Sequence, residues 1–392
     1  ALSESKDYVG SLIHHEKALQ LDRNNPDGWL NYGQTLSHLK RDELALTAFN
    51  NALAINNHYA EAWYNKALVL CELKRHEEAL DCYKNTIQLD SKNAKAWLDL
   101  STSYGALNRY EDALQSCEQA LALQTSYPEA WLNKGSALSE LKRFDEAVDC
   151  FSKAIELRND YADAWLGKGL ALEKLSKYQE ALNCHDKAIA LDPSHAKAWL
   201  NKGNLLNDKA QYQEAIACFE SAIQLQPDYA DAWVGKGNSL VYFKRFEEAL
   251  VLYDKAIALN PQYAEAWSNK ASALYALQQY DVALKHAEIA LNINPKYAEV
   301  WVCIGQTYND QGQHLKSLTA YEKALVLGSK ANFLQGISIH LKGILGYWSF
   351  NQCDLEKLFQ NIVLGEKVAP PMSFLSITDN PEYQLKVAQI FT

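Results

Sequence analysis

Tryptophan stands at 29, 63, 97, 131, 165, 199, 233, 267 and 301, nine times at a spacing of 34 with no insertion or deletion. A fixed period of that length means one folding unit copied in tandem. Four residues after each indole comes a small side chain: Gly33, Ala67, Ser101, Gly135, Gly169, Gly203, Gly237, Ala271 and Gly305. Sixteen after it come Ala45, Ala79, Ala113, Ala147, Ala181, Ala215, Ala249 and Ala283, with Ser317 last. Twenty after it the chain mostly carries rings, namely Phe49, Tyr83, Phe151, Phe219, Tyr253 and Tyr321. Spacings of four place the indole and the small residue on one face of a first helix, and the Ala and the ring on one face of a second. Each unit is therefore predicted to be a helix pair in which small residues let the axes approach and the ring fills the remaining space. Steps such as Lys142-Arg143 and Gln279-Tyr280 mark a short turn inside the unit. Pro193, Pro227, Pro261 and Pro295 stop the second helix, whereas Asn57, Ser91, Thr125 and Asn159 leave earlier units to end by turn chemistry.

Composition narrows the class. The 392 residues are 48% hydrophobic with 17 Gly and 9 Pro, which fits a helical chain with a large core. A net charge of −10, from 38 basic and 48 acidic residues, argues against nucleic acid and an anionic membrane as partners. No run of about 18 uncharged apolar residues predicts a membrane span. The first residue is Ala and no signal segment follows, so a cytoplasmic location is expected. The eight cysteines contain no Cys-x-x-Cys pair and no zinc-type clustering. Cys82, Cys150, Cys184 and Cys218, each nineteen after a Trp, lie two helices apart and beyond the roughly 7 Å Cα limit for a disulfide, so they are expected to be free thiols. A ladder of reactive thiols or metal ligands is the alternative. No HExxH, Gly-x-Ser-x-Gly or phosphate-cradling loop occurs, and His185 occupies a ring position of the repeat. No catalytic residue, metal or cofactor is expected.

The pattern Ala-Trp-x-x-x-Gly followed by Ala-x-x-x-Phe/Tyr-x-x-Ala, at 34 residues, resembles the tetratricopeptide repeat and covers roughly residues 26 to 331. That resemblance implies an all-α, right-handed superhelix of nine repeats whose first helices line a concave groove. Lys66, Lys134, Lys168, Lys202, Lys236 and Lys270, three after Trp, depart from the Leu frequent there and are expected to snorkel. Residues 1–25 carry Leu12, Ala18, Leu19 and Leu21 in the register of a second helix, a partial repeat. From 332 to 392 the period is lost, and Phe333, Leu334, Ile337, Leu341, Ile344, Leu345 and Trp348 predict an amphipathic cap. Further helices are expected after Asp354 and after Asn380-Pro381. Within this tail Trp348-Ser349, Leu358, Ile362, Gly365, Pro371, Leu375, Asp379, Pro381-Glu382, Gln384-Leu385 and Ala388 resemble the post-repeat segment of bacterial O-linked GlcNAc transferase-like (SPINDLY-like) proteins. Tyr347 and Phe350 stand where that family commonly has acids. The chain ends before any nucleotide-sugar motif of that family, so no transferase residue is carried over.

Binding is expected on the first helix opposite its indole. At 100° per residue, positions −2, +2, +5 and +9 from Trp lie about 140–200° away from it. At +2 the chain reads Asn31, Asn65, Asp99, Asn133, Gly167, Asn201, Gly235, Asn269 and Cys303. Asn is a poor helix former, so its recurrence asks for a reason. An amide matches the donor and acceptor of a peptide bond and can hold an extended protein segment without reading its side chains. Bonding between neighbouring repeats is the alternative. The resemblance adds the asparagine ladder of the O-linked GlcNAc transferase superhelix, which holds substrate backbone. Gln34, Ser136, Asn204, Asn238 and Gln306 at +5 complete the candidate groove, with Leu68, Thr102, Leu170 and Ser272 between them. Acids at −2 (Asp27, Glu61, Glu129, Asp163, Asp231, Glu265, Glu299) outnumber Lys95 and Lys197, which favours peptides with some positive charge. The function expected is a non-catalytic scaffold for extended peptides, as an arm of a glycosyltransferase-like polypeptide or as a free-standing assembly platform. An active glycosyltransferase is the rival. Replacing Asn133 and Asn201 by Ala is expected to weaken peptide binding and leave stability nearly unchanged.

Overall fold

The computed structural model describes residues 8–329, 331, 334–346, 358, 360–362, 387 and 389–390. All regular structure among them is helical. Helix α1 (Tyr8–Leu21) stands first, in the register of a second helix. Pairs follow: α2 (Pro26–His38) with α3 (Asp42–Ile55), α4 (Ala60–Glu72) with α5 (His76–Leu89), α6 (Ala94–Ala106) with α7 (Tyr110–Leu123), α8 (Pro128–Glu140) with α9 (Phe144–Leu157), and α10 (Ala162–Lys174) with α11 (Tyr178–Leu191). Then come α12 (Ala196–Asp208) with α13 (Tyr212–Leu225), α14 (Ala230–Tyr242) with α15 (Phe246–Leu259), α16 (Ala264–Ala276) with α17 (Tyr280–Ile293), and α18 (Ala298–Asp310) with α19 (His314–Val326); α20 (Leu334–Ile344) ends the series. The chain forms two compact units, residues 1–201 and 202–392, divided within α12.

In the first unit each first helix packs on its own second helix, and that second helix on the next first helix, from α2 to α11. The second unit repeats this from α13 to α20. First helices of successive pairs also touch, α2 with α4, α6 with α8 and α8 with α10 in the first unit, α14 with α16 and α16 with α18 in the second. Second helices do not come as close to one another, so within each unit the first helices lie on the inner side of the turn.

The small residue at +4 exists for the ring at +20. A Cβ on Gly33, Gly135, Gly203, Gly237 or Gly305 would sit 2.5–2.8 Å from the ring of Phe49, Phe151, Phe219, Tyr253 or Tyr321 of the same repeat. These rings are almost wholly buried, and burying one contributes about 1.5–3 kcal/mol. His185 fills the same slot against Gly169, with its Nε2 2.6 Å from Glu173 Oε1. The indoles have a polar task as well. Eight of them donate Nε1–H to the carbonyl six residues earlier, as Trp131 does to Thr125 at 3.0 Å and Trp233 to Pro227 at 2.9 Å. That bond ties each first helix to the connection before it, which a phenyl ring could not do.

The turn within a pair is a left-handed cap. Lys40, Lys74, Asn108, Lys142, Ser176, Ala210, Lys244 and Gln278 all have φ between 55° and 61°, with Gly312 at 72° completing the register. The residue after each donates back five positions, as Arg143 N does to Leu138 O at 2.8 Å. Second helices then open on acids such as Asp145 and Glu146, which suit the positive end of the helix dipole. At the far end of five of them the residue ahead of the proline register makes an Asx turn: Asn56 accepts from His58 N and Asp90 from Lys92 N, as Asp192, Asn260 and Asn294 do ahead of prolines. The two earliest of these connections thus share their turn with three that carry proline, whereas Gln124, Arg158 and Gln226 stand at the same position where no Asx side chain is present.

The lysines at +3 lie over their own indoles. Lys66, Lys134, Lys168 and Lys270 sit 5.2–5.8 Å from the ring centres of Trp63, Trp131, Trp165 and Trp267. Lys134 and Lys270 also pair with Glu118 and Asp254 of the preceding second helix. At the C-terminal side Leu334 and Leu341 of α20 pack on Leu318, Tyr321 and Ala324 of α19. The expected helices after Asp354 and Asn380, and nearly all of the transferase-like segment, lie outside the described residues; Leu358, Ile362 and Val387 are buried.

Candidate functional site

Because first helices of successive pairs touch, the +2 position is less open than its angle from the indole implies. Asn31 is exposed, Asn65, Asp99, Asn133, Asn201 and Asn269 are half-buried, and Gly235 and Cys303 are buried. The gaps in the amide row have a packing reason. A Cβ at Gly167 or Gly235 would come within 2.6 or 2.5 Å of Phe151 or Phe219, the ring of the preceding repeat. Where that ring leans forward, no side chain fits.

What each amide does depends on the +5 residue one repeat earlier. Asn133 Nδ2 donates to Thr102 Oγ1 at 3.0 Å and Ser101 Oγ at 3.3 Å. Asn269 Nδ2 donates to Asn238 Oδ1 at 2.9 Å, and Tyr253 OH donates to the same oxygen at 2.8 Å. The +5 residue ahead of Asn201 is Leu170, and Asn201 Nδ2 is buried with no partner among the described residues. The residue ahead of Asp99 is Leu68, and Asp99 Oδ2 instead accepts Tyr64 OH at 2.6 Å. Asn65 Nδ2 turns back to Glu61 O at 2.8 Å, and Gln34 Nε2 reaches Glu61 Oε1 at 3.3 Å. At Gly235 the preceding repeat compensates: Asn207 Nδ2 donates to Gly235 O, and Ser239 Oγ donates to Asn207 Oδ1 at 2.7 Å.

The exposed face therefore lies at +5 and +9 more than at +2. Ser136, Asn204 and Gln306 are exposed. Ser136 Oγ donates to Leu132 O within its own helix. The side-chain amides of Asn31, Asn204 and Gln306 make no hydrogen bond among the described residues, and so remain open to a ligand. The structure brings Asn133 to Thr102 and Asn269 to Asn238, but it spends those donors between helices.

Acids at −2 are also used between repeats. Tyr59 OH donates to Asp27 and Tyr263 OH to Asp231, and His195 Nε2 lies 3.1 Å from Asp163 Oδ1. Burial, and then the carboxylate, raise both tyrosines well above the ordinary phenol range. Burial raises the Asp99 carboxyl too, against the opposing pull of the Tyr64 hydroxyl and Lys95. Glu265 is raised by burial and by Asp231, and held down by the amides of Asn269 and Asn238. The sequence signal for these inter-repeat bonds is the recurrence of Tyr four before Trp, at Tyr59, Tyr127, Tyr161, Tyr229, Tyr263 and Tyr297.

Cys82, Cys117, Cys150, Cys184, Cys218 and Cys303 are buried thiols outside any disulfide, and Cys71 is a half-buried one. Burial pushes Cys82, Cys117 and Cys150 up to about 11, which makes them poor nucleophiles. Among the described residues no three His, Cys, Asp or Glu side chains are grouped to hold a metal ion, and no helix is long and apolar enough to cross a membrane.

Comparison with known proteins agrees with the helix-pair architecture. Models of the tetratricopeptide repeat match residues 26–59, 60–93, 94–127, 128–161, 162–195, 196–229, 234–298 and 268–332, more than half of the chain. No curated protein matches the sequence. A tetratricopeptide repeat protein from Parabacteroides merdae is 14% identical over 62% of this chain and 97% of that one, with a TM-score of 0.52. The APC/C hetero-tetramer Cut9-Hcn1 is 14% identical over 87% of this chain and 94% of that one, with a TM-score of 0.51. Both share the fold alone. YrrB, described as a TPR protein with an unusual peptide-binding site, is 26% identical over 47% of this chain and 95% of its own, with a TM-score of 0.42.

Proposed function

The chain belongs to the tetratricopeptide repeat family, whose arrays serve as protein-interaction scaffolds, and from that premise we propose that it captures extended peptide segments on the first-helix faces of its units. The observation that carries this is the set of exposed, unpartnered amides at Asn31, Asn204 and Gln306, with exposed Ser136 in the same +5 register as Asn204 and Gln306. Such groups can hold a peptide backbone at little desolvation cost. Asp99, Asn133, Asn238 and Asn269 stand behind them in bonds between successive first helices, Asn65 turns back to its own helix, Asn201 has no partner among the described residues, and Gln34 steadies Glu61. The acids at −2 add a preference for peptides with some positive charge.

The scaffold is proposed as non-catalytic and without a cofactor. The absence of disulfides among the described residues fits a reducing compartment such as the cytoplasm. The tail's resemblance to O-linked GlcNAc transferase-like proteins favours a role as the substrate arm of a longer polypeptide, with residues 26–331 as the array and 332–392 as cap and connection. The test is a peptide selected from a random library on the whole chain, then challenged with a photo-crosslinker placed at Ser136 on α8 or at Asp149 on α9. Crosslinking at Ser136 and none at Asp149 is expected. Capture at Asp149 alone would move the site to the second helices.

A further inference from the structure

A cavity of 390 Å³ lies on the first-helix side of the first unit, with Leu68, Cys71, Asp99 and Thr102 in its wall. Its size falls in the range of built ligand sites, about 300–1,000 Å³. Asp99 is the one charged residue at +2, where five other repeats carry Asn. Its Oδ2 accepts the Tyr64 hydroxyl, which an Asn oxygen would accept equally, and no cation pairs with it among the described residues. Lys95, one turn earlier on α6, is exposed and rides 5.6 Å from the Tyr64 ring centre without forming an ion pair with Asp99. On the cavity rim Lys40 is already paired with Glu72 at 3.1 Å, and His38, His76, Cys71 and Tyr83 are the other titratable groups of the lining, with Cys71 Sγ 3.6 Å from the Tyr83 hydroxyl and 3.3 Å from Ser103 Oγ.

A half-buried charge that the fold does not need costs stability, and burial raising the Asp99 carboxyl is the mark of that cost. Such a cost is retained where a ligand repays it. Leu68 supplies an apolar wall where every other repeat but that of Leu170 has a polar +5 side chain, which suits a methylene stem. The hydroxyl of Thr102 and the carboxylate of Asp99 are acceptors for the head group.

We propose that this cavity receives the cationic side chain, Lys or Arg, of an extended peptide lying on the first-helix face, with Asp99 as its counter-charge. The proposal rests on the peptide-capture reading above and adds a specificity to it.

Cys71 lines the cavity and is the one thiol among the described residues that is not buried, so its alkylation reports occupancy. The probes are acetylated, amidated heptapeptides Ala-Gly-Ala-X-Ala-Gly-Ala with X as Lys, Arg, norleucine or Glu, read by iodoacetamide labelling of Cys71 in a Cys353→Ser background. At ten times its Kd the Lys or Arg peptide should slow labelling about tenfold. Asp99→Asn keeps the Tyr64 bond and should weaken that peptide by at least about tenfold. Lys95→Gln should tighten it by removing a competing cation. Protection by norleucine equal to that by Lys overturns the cation specificity and leaves peptide capture standing. Absence of binding by any of the four in calorimetry overturns both. Loss of folding in Lys95→Gln would make Lys95 and Asp99 a structural pair and overturn the proposal.

Discussion

At the boundary between the third and fourth repeats Asn133 reaches Thr102 and Ser101, whereas at the boundary between the fifth and sixth the same register pairs Asn201 with Leu170 and leaves Nδ2 buried without a partner among the described residues. One residue type in one register therefore has two energetic roles, and the +5 side chain of the preceding repeat decides which. A satisfied inter-repeat bond adds about 0.5–1.5 kcal/mol, and a buried orphan donor costs about 1–3 kcal/mol. The meaning of a repeated amide in a solenoid is set by its neighbour one repeat back, not by its own recurrence.

An amide forced into a gap of the row should have the largest effect. Gly167→Asn drives a Cβ to within 2.6 Å of the Phe151 ring, and the overpacking should cost about 1–3 kcal/mol, measured by urea unfolding. A double-mutant cycle isolates the neighbour's part. Thr102→Leu should turn the boundary between the third and fourth repeats into a copy of that between the fifth and sixth. Asn133→Ala should then cost about 1 kcal/mol in the native background and much less when combined with Thr102→Leu. Asn201→Ala, by contrast, should be neutral or stabilising, since it removes an orphan donor and improves helix propensity. The smallest effect is expected from Asp99→Asn. A carboxyl raised in the fold is a destabilising charge once pH passes its folded pKa, and costs nothing below its unfolded one. The variant should therefore melt roughly 1–2 °C higher at pH 7, with the gain gone below about pH 4, in calorimetry across that range.

Much of this was legible in the chain itself. The 34-residue spacing of Trp, with a small residue at +4 and a ring at +20, predicts both the helix pair and the contact of Gly135 with Phe151. The unpaired state of Cys82 and Cys150 followed from distance alone. The side of the first helix that stays open was not legible, because angle from the indole takes no account of the next first helix. The rings at +20 govern that: Phe151 packs both on Gly135 and on Gly167 of the following repeat, a long-range contact that single-helix periodicity cannot carry. The indole N–H bonds were missed for a related reason, since a ring recurring in a core pattern is read as packing and its donor is overlooked. The expectation that Asn133 and Asn201 act alike also divides here, since only Asn133 has bonds to lose.

Affinity and melting temperature measured together on two variants separate the two roles. With a library-selected peptide, Asn204→Ala combined with Gln306→Ala should lower affinity and leave Tm within about half a degree, whereas Asn133→Ala should lower Tm and change affinity little. Unchanged affinity in the double variant, or its loss only on removing Asn133, would contradict the assignment of exposed amides to the ligand and paired amides to the repeat stack.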